Sequence, residues 1–252
     1  MIQPVPSLSR LRRFAASLLT TATCMFALLL ASPVLAQERE NENEKELPQL
    51  PGVKADRKNK IVEIEGKIIL PLQADWLELL ACAPKSREHE SIISLDAKPS
   101  HVHGALMLIG LKPGSPLRAE RVGDNWKFHP PTGPKVAVTI HYELKGKKYD
   151  VPANDWIVDQ KTRKPLPDNI WLFTGSKMYE VDGKSIYIAD IEGNILSLVN
   201  FQDEVLARMN DKRGGQEGGG GNEAWAANTK AIPPIGTKII LRLTPVKEEE
   251  KK

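Results

Sequence analysis

Three of the five histidines, His89, His101 and His103, fall within fifteen positions, interleaved with Glu88 and Glu90. Imidazole and carboxylate together make a common ligand set for a divalent transition metal. One chemistry this stretch could carry is therefore a metal centre built from His89, Glu90, His101 and His103. Its spacing is neither that of a zinc finger nor that of an H-E-x-x-H helix. Two residues apart in the first turn of a helix, His101 and His103 point in nearly opposite directions, because each residue turns ~100°. On a strand they would share a face. A second chemistry uses the helix start itself. Its free N–H groups and partial positive charge would hold an anion, with Lys98 and Ser100 as further donors. The third reading ranks above both and is structural: neutral histidines and the acids Glu88 or Glu90 satisfy a neighbouring loop and the orphan N–H groups.

Cys82 precedes these residues. A nucleophilic thiolate needs a nearby imidazolium or helix N-terminus to form at neutral pH. Residues 76–83 (WLELLACA) read as a buried strand, where a free cysteine is a small apolar residue. No G-x-S-x-G elbow supports a serine triad. Residues 214–221 (GGQEGGGG) are not followed by Lys-Ser or Lys-Thr, so they are a surface loop rather than a phosphate loop. Without a recognisable catalytic set, a non-enzymatic role leads. The five tryptophans are dispersed, and core packing is expected for most of them, with Trp225 the one to watch for exposure.

The elements that must position these groups follow from periodicity. Val62 and Ile64 alternate with Glu63 and Glu65, the signature of a half-buried strand, and Gly66 suits a bulge or bend. Residues 91–95 favour a strand through the β-branched Ile92 and Ile93. Ser100 is the expected N-cap of the main helix, residues 100–111, where Val102, Ala105, Leu106 and Ile109 recur at helical spacing. Residues 126–134 (WKFHPPTGP) read as a proline-stiffened loop. Val136, Val138, Ile140 and Tyr142 mark a further strand, followed by a turn at 145–147. Strands are expected at 155–159, 169–174 and 238–243, a hairpin over 187–199, and a short helix from Asn200 to Met209. The pattern predicts an α+β fold: a mainly antiparallel β domain with one principal helix packed on the sheet.

The N-terminus reads as an export signal. Arg10, Arg12 and Arg13 precede an apolar run, and Val34-Leu35-Ala36 offers a cleavage site. The run is shorter than the ~20 residues of a spanning helix, so no stable membrane span is expected after removal of residues 1–36. The full chain is +3, from 35 basic and 32 acidic residues. Removing three arginines and no acid leaves 32 against 32, so the remaining 216 residues are neutral. Such a balance offers no field for nucleic acid. Residues 37–46 read as a disordered polar linker, 47–246 as a single domain and 247–252 as a charged tail. Cys24 leaves with the signal, so Cys82 has no intramolecular partner.

Several blocks together resemble the YdjY domain family: Leu77-Glu78-Leu79-Leu80-Ala81-Cys82, Glu88-His89-Glu90-Ser91, residues 97–106 (AKPSHVHGAL), Gly110-Leu111-Lys112-Pro113-Gly114, residues 171–176 (WLFTGS), Ala189-Asp190-Ile191-Glu192-Gly193 and the last strand. The likeness spans about residues 50–245. It implies a bacterial, commonly exported domain without an assigned reaction, and it brings no catalytic residue to these positions. A redox or metal association inferred for such domains gains no support from this chain, which lacks the cysteines of an iron–sulfur site. The sequence thus predicts an exported periplasmic or envelope protein acting as a binding or structural module. A metal-binding protein or metal-dependent enzyme is the alternative.

Overall fold

The computed structural model describes residues 50–70, 76–208 and 225–247. All of them belong to one compact unit, Leu50–Lys252. The expected signal peptide, polar linker and glycine loop lie outside the described residues, as does nearly all of the tail. No helix among the described residues is long and apolar enough to cross a membrane.

In chain order the strands are β1 (Val53–Asp56), β2 (Ile61–Ile68), β3 (Leu79–Cys82), β4 (Ser91–Leu95), β5 (Arg118–Val122), β6 (Asn125–His129), β7 (Lys135–Leu144) and β8 (Lys147–Pro152). They continue with β9 (Ile157–Asp159), β10 (Trp171–Phe173), β11 (Met178–Val181), β12 (Lys184–Tyr187), β13 (Asn194–Ser197), β14 (Leu206–Arg208), β15 (Trp225–Ala227) and β16 (Lys238–Pro245). The helices are α1 (Pro99–Leu108) and α2 (Ile188–Glu192).

Eight strands close a mixed barrel in the order β2-β16-β7-β10-β14-β13-β3-β4, and β4 pairs back onto β2. The fold is therefore mainly β, a closed mixed barrel with two short helices, where the sequence predicted an α+β domain with one principal helix packed on a sheet; most of the barrel's pairings are antiparallel, as expected. Two junctions, β3–β4 and β13–β14, are parallel. Closure depends on β2 changing partner along its length. Its first half pairs with β1, and Gly66–Ile68 pair with Leu95–Ile93 of β4. Gly66 makes no bulge. It allows the close approach of β4, since a Cβ there would stand 2.7 Å from the Ser94 carbonyl oxygen. A closed ring leaves only β1 and β8 as outlying strands on this sheet, which limits exposed edges.

Alternation decides which side chains fill the ring. Val62, Ile64 and Ile68 of β2, Val136, Val138 and Ile140 of β7, and Ile239, Leu241 and Leu243 of β16 are buried. Each such side chain contributes ~1.5–3 kcal/mol of transfer free energy. The intervening Glu63, Glu65, His141, Ile240 and Arg242 face outward. β3 and β4 are buried on both faces, as suits their parallel pairing. Val102, Ala105 and Leu106 of α1 join the same core, as their spacing predicts. Trp156, Trp171 and Trp225 are buried, whereas Trp76 and Trp126 are exposed.

Several local expectations change. Ser100 is not the N-cap of α1. Lys98 holds that position without a side-chain cap, and Pro99 occupies the first turn, where its missing N–H costs nothing. The helix expected from Asn200 to Met209 is replaced by loop and then β14, whose three residues are all buried between β10 and β13. Ladder bonds to two neighbours outweigh local helix preference there. Ile188–Glu192 is a short helix within the expected hairpin, ended by Gly193 at φ 80°. Part of the expected loop at 126–134 is β6, paired with β5 through a turn at Gly123.

Candidate functional site

The 3-10 turn Glu88–Glu90 leads from the end of β3 into β4 and carries the first predicted site residues. Arg87, just before it, organises the surroundings. Its Nη1 donates to Glu90 Oε1 at 3.0 Å and its Nη2 to Glu192 Oε2 at 3.3 Å. Its guanidinium stacks over the Phe201 ring, 4.4 Å from the centroid, a favourable cation–π contact. Glu90 is buried and lies beside Glu78, whose carboxyl is pushed up by burial and by its hydrogen bond to Glu90. His89 points away into solvent, with Nε2 3.7 Å from Glu90 Oε2. Glu88 serves the local turn, accepting from the Lys85 N–H and the Ser94 hydroxyl.

The other two histidines diverge, as their helical spacing predicts. His101 Nδ1 lies 3.2 Å from the Pro51 carbonyl. His103 Nδ1 lies 3.1 Å from the Gly175 carbonyl and 2.9 Å from the Tyr187 hydroxyl, which itself donates to the same carbonyl. A carbonyl only accepts, so Nδ1 of His103 carries the proton. The ring meets Phe173 and Tyr187 edge to face. Burial pushes the His103 pKa down, partly opposed by the Gly175 carbonyl. Gly175 is required here. Its φ is 83°, and a Cβ would lie 2.4 Å from Pro113 Cβ and 3.1 Å from His103 Cε1. His101 and His103 therefore engage partners separate from each other and from the His89–Glu90 pair, and among the described residues no group of three or more His, Cys, Asp or Glu is arranged to hold a metal ion. At the helix start, the Ser100 N–H donates to Asp190 Oδ1 of α2 at 2.8 Å, while Lys98 is exposed.

Cys82 is fully buried, and burial pushes its thiol up, with Glu88 adding to the shift. That is the opposite of what a nucleophile needs. A buried polar group that sequence reasoning missed lies nearby in the topology, on the approach to β14. Glu204 is fully buried, its Oε1 has no hydrogen-bond partner, and burial raises its pKa to about 7. Its Oε2 accepts from the Asp203 N–H at 3.2 Å, and Asp203 in turn accepts from Asn194 Nδ2 at 2.6 Å. Burial also raises the Asp203 carboxyl. The only sequence signal for Glu204 is an acid abutting the apolar run Val205-Leu206-Ala207. Arg87 had a signal too, three positions before Glu90.

The open concave surface lies elsewhere, on the outer wall formed by β2, β16, β7 and β8. A cleft of about 680 Å³ occupies it, within the ~300–1,000 Å³ usual for small-molecule sites. Ile240, 40 % exposed, is its apolar floor and stands between Glu65 of β2 and His141 of β7. Arg242 is neutralised by Glu63, through Nη2 at 2.7 Å and Nε at 3.1 Å. His141 Nδ1 is bonded to Asp150 of β8. Two lysines, Lys67 and Lys238, sit directly opposite each other on β2 and β16. None of these residues was singled out by the sequence, because outward charges on alternating strands read as an ordinary solvated face.

The YdjY domain family model matches residues 53–244, which covers the barrel except Pro245 and every residue described above as a candidate. The chain belongs to the YdjY domain family. No curated protein and no solved structure matches it.

Proposed function

We propose that this YdjY-domain protein is an exported, non-enzymatic binding module of the periplasm or envelope, and that its ligand occupies the cleft on β2, β16, β7 and β8. The observation that carries the reading is the cleft: an exposed apolar floor at Ile240 ringed by side chains of both charge signs, fixed on four paired strands. Rigid strands hold a preformed site with little ordering cost. The residues that suggested chemistry are turned to other work. Glu90, His101 and His103 bond within the protein, the Ser100 N–H is taken by Asp190, and the Cys82 thiol is buried. Export is supported by the basic, apolar and small-residue pattern of residues 1–36.

The test is a small-molecule fragment screen read by amide NMR on uniformly labelled chain. Hits should perturb Glu65, His141 and Ile240, and Ile240→Trp, which fills the floor, should abolish them. Hits that instead gather around Arg87 and His89, or that survive Ile240→Trp unchanged, overturn the proposal.

A further inference from the structure

We infer that the cleft takes an organic anion with a short apolar chain, its acid group held by Lys67 and Lys238 and its chain laid over Ile240. This rests on the binding function proposed above and specifies its ligand. Lys67 and Lys238 are Cα partners across β2 and β16. Side chains directly opposite on antiparallel strands start from Cβ atoms only ~5 Å apart, and like charges in that position repel. Both lysines are exposed, line the cleft, and have no carboxylate within ion-pairing distance among the described residues. Their neighbours differ: Arg242 is matched with Glu63, and His141 with Asp150. The cleft thus has one end where Lys67 and Lys238 leave the same face side by side, neither in an ion pair among the described residues, with Glu65 and Asp96 also in its lining.

The second observation is the floor. Ile240 is two residues along β16 from Lys238, so the two side chains leave the same face about 7 Å apart. An apolar side chain 40 % exposed beside two lysines that form no ion pair among the described residues fits a molecule with one acidic head and a few methylenes. Glu65, opposite Ile240, and Asp96 also line the cleft, so a cationic head would sit beside them and not between the two lysines. Carboxylate and phosphate monoester heads share the chemistry that the lysines recognise, as point-charge acceptors of ammonium hydrogen bonds.

The test titrates the labelled chain with four probes: sodium hexanoate, hexylamine, hexan-1-ol and inorganic phosphate. Hexanoate is expected to shift the amides of Lys67, Lys238 and Ile240. Lys67→Glu with Lys238→Glu should weaken it at least tenfold, while hexanol binding changes less than twofold. Lys67→Gln with Lys238→Gln, which only removes charge, should fall between, and retained Tm in both variants shows that the fold persists. Hexylamine binding as tightly as hexanoate would overturn the anionic assignment and leave the binding function standing. Phosphate binding as tightly as hexanoate overturns the apolar half of the inference. No perturbation of the cleft by any probe removes the inference and counts against the binding function as well.

Discussion

Glu204→Gln should stabilise the protein at alkaline pH and do little at acid pH. Glu204 is fully buried, and its carboxyl titrates at about 7 instead of its ordinary 4.5. The cause is burial, which disfavours the charged form and outweighs the backbone N–H groups that stabilise it. The folded state therefore holds its proton over a pH range in which the unfolded chain has released it. Below pH 4.5 both states are protonated and there is no penalty. Stability falls as pH rises from 4.5 to 7 and stays reduced above that. At 1.36 kcal/mol per pH unit, the full penalty is about 3 kcal/mol. Glutamine removes the ionisation and keeps an oxygen for the Asp203 N–H. Urea unfolding at pH 4.5 and pH 8 measures the difference, and comparing variant with wild type cancels the parallel contribution of Asp203. The expected result is a gain for the variant of about 2–3 kcal/mol at pH 8 relative to pH 4.5. A variant whose stability relative to wild type is the same at both pH values would refute the reasoning.

Other perturbations test the remaining contacts. Gly175→Ala forces a Cβ against Pro113 at a φ that disfavours it, and should cost about 2 kcal/mol, or roughly 6 °C in Tm. Arg87→Met leaves Glu90 buried beside Glu78 without its cation. A fully buried pair broken in this way costs ~3–5 kcal/mol, and the partial exposure of Arg87 reduces the expectation to about 2. The His103 ring should titrate below the ~6.5 of free histidine in NMR. Because the folded pKa is depressed, its contribution to stability is present above pH 6.5 and lost as pH falls, a trend that His103→Gln should remove. Chelator treatment of untagged protein should leave Tm unchanged, and elemental analysis should find zinc, copper and iron far below one per chain.

The parts of this fold that were legible in the sequence are those decided by local period. β2, β7 and β16 show strict alternation because one face meets the core and the other meets water, and the apolar positions of α1 follow a helical step. Closure of the barrel was not legible. It depends on β4 pairing with β2 about 27 positions away and on two parallel junctions, neither of which leaves a local mark. β14 was misread because three buried residues are too few to show a period. The divergence of His101 from His103 was legible, because a fixed turn per residue dictates it. Their partners were not, since Pro51, Gly175 and Tyr187 lie 50, 72 and 84 positions away. The cleft was hidden for a related reason. Its floor and its lysines come from strands separated by some 170 positions, and each strand alone shows only unremarkable outward polarity.

The central claim is that the working surface is the cleft over Ile240 and not the histidine-bearing turn and helix. Crystals of the chain soaked in hexanoate decide it most directly. The account predicts electron density along Ile240 with the carboxylate bonded to both lysine ammonium groups. Density at Arg87, His89 or the start of α1, with the cleft free of ligand, would contradict it.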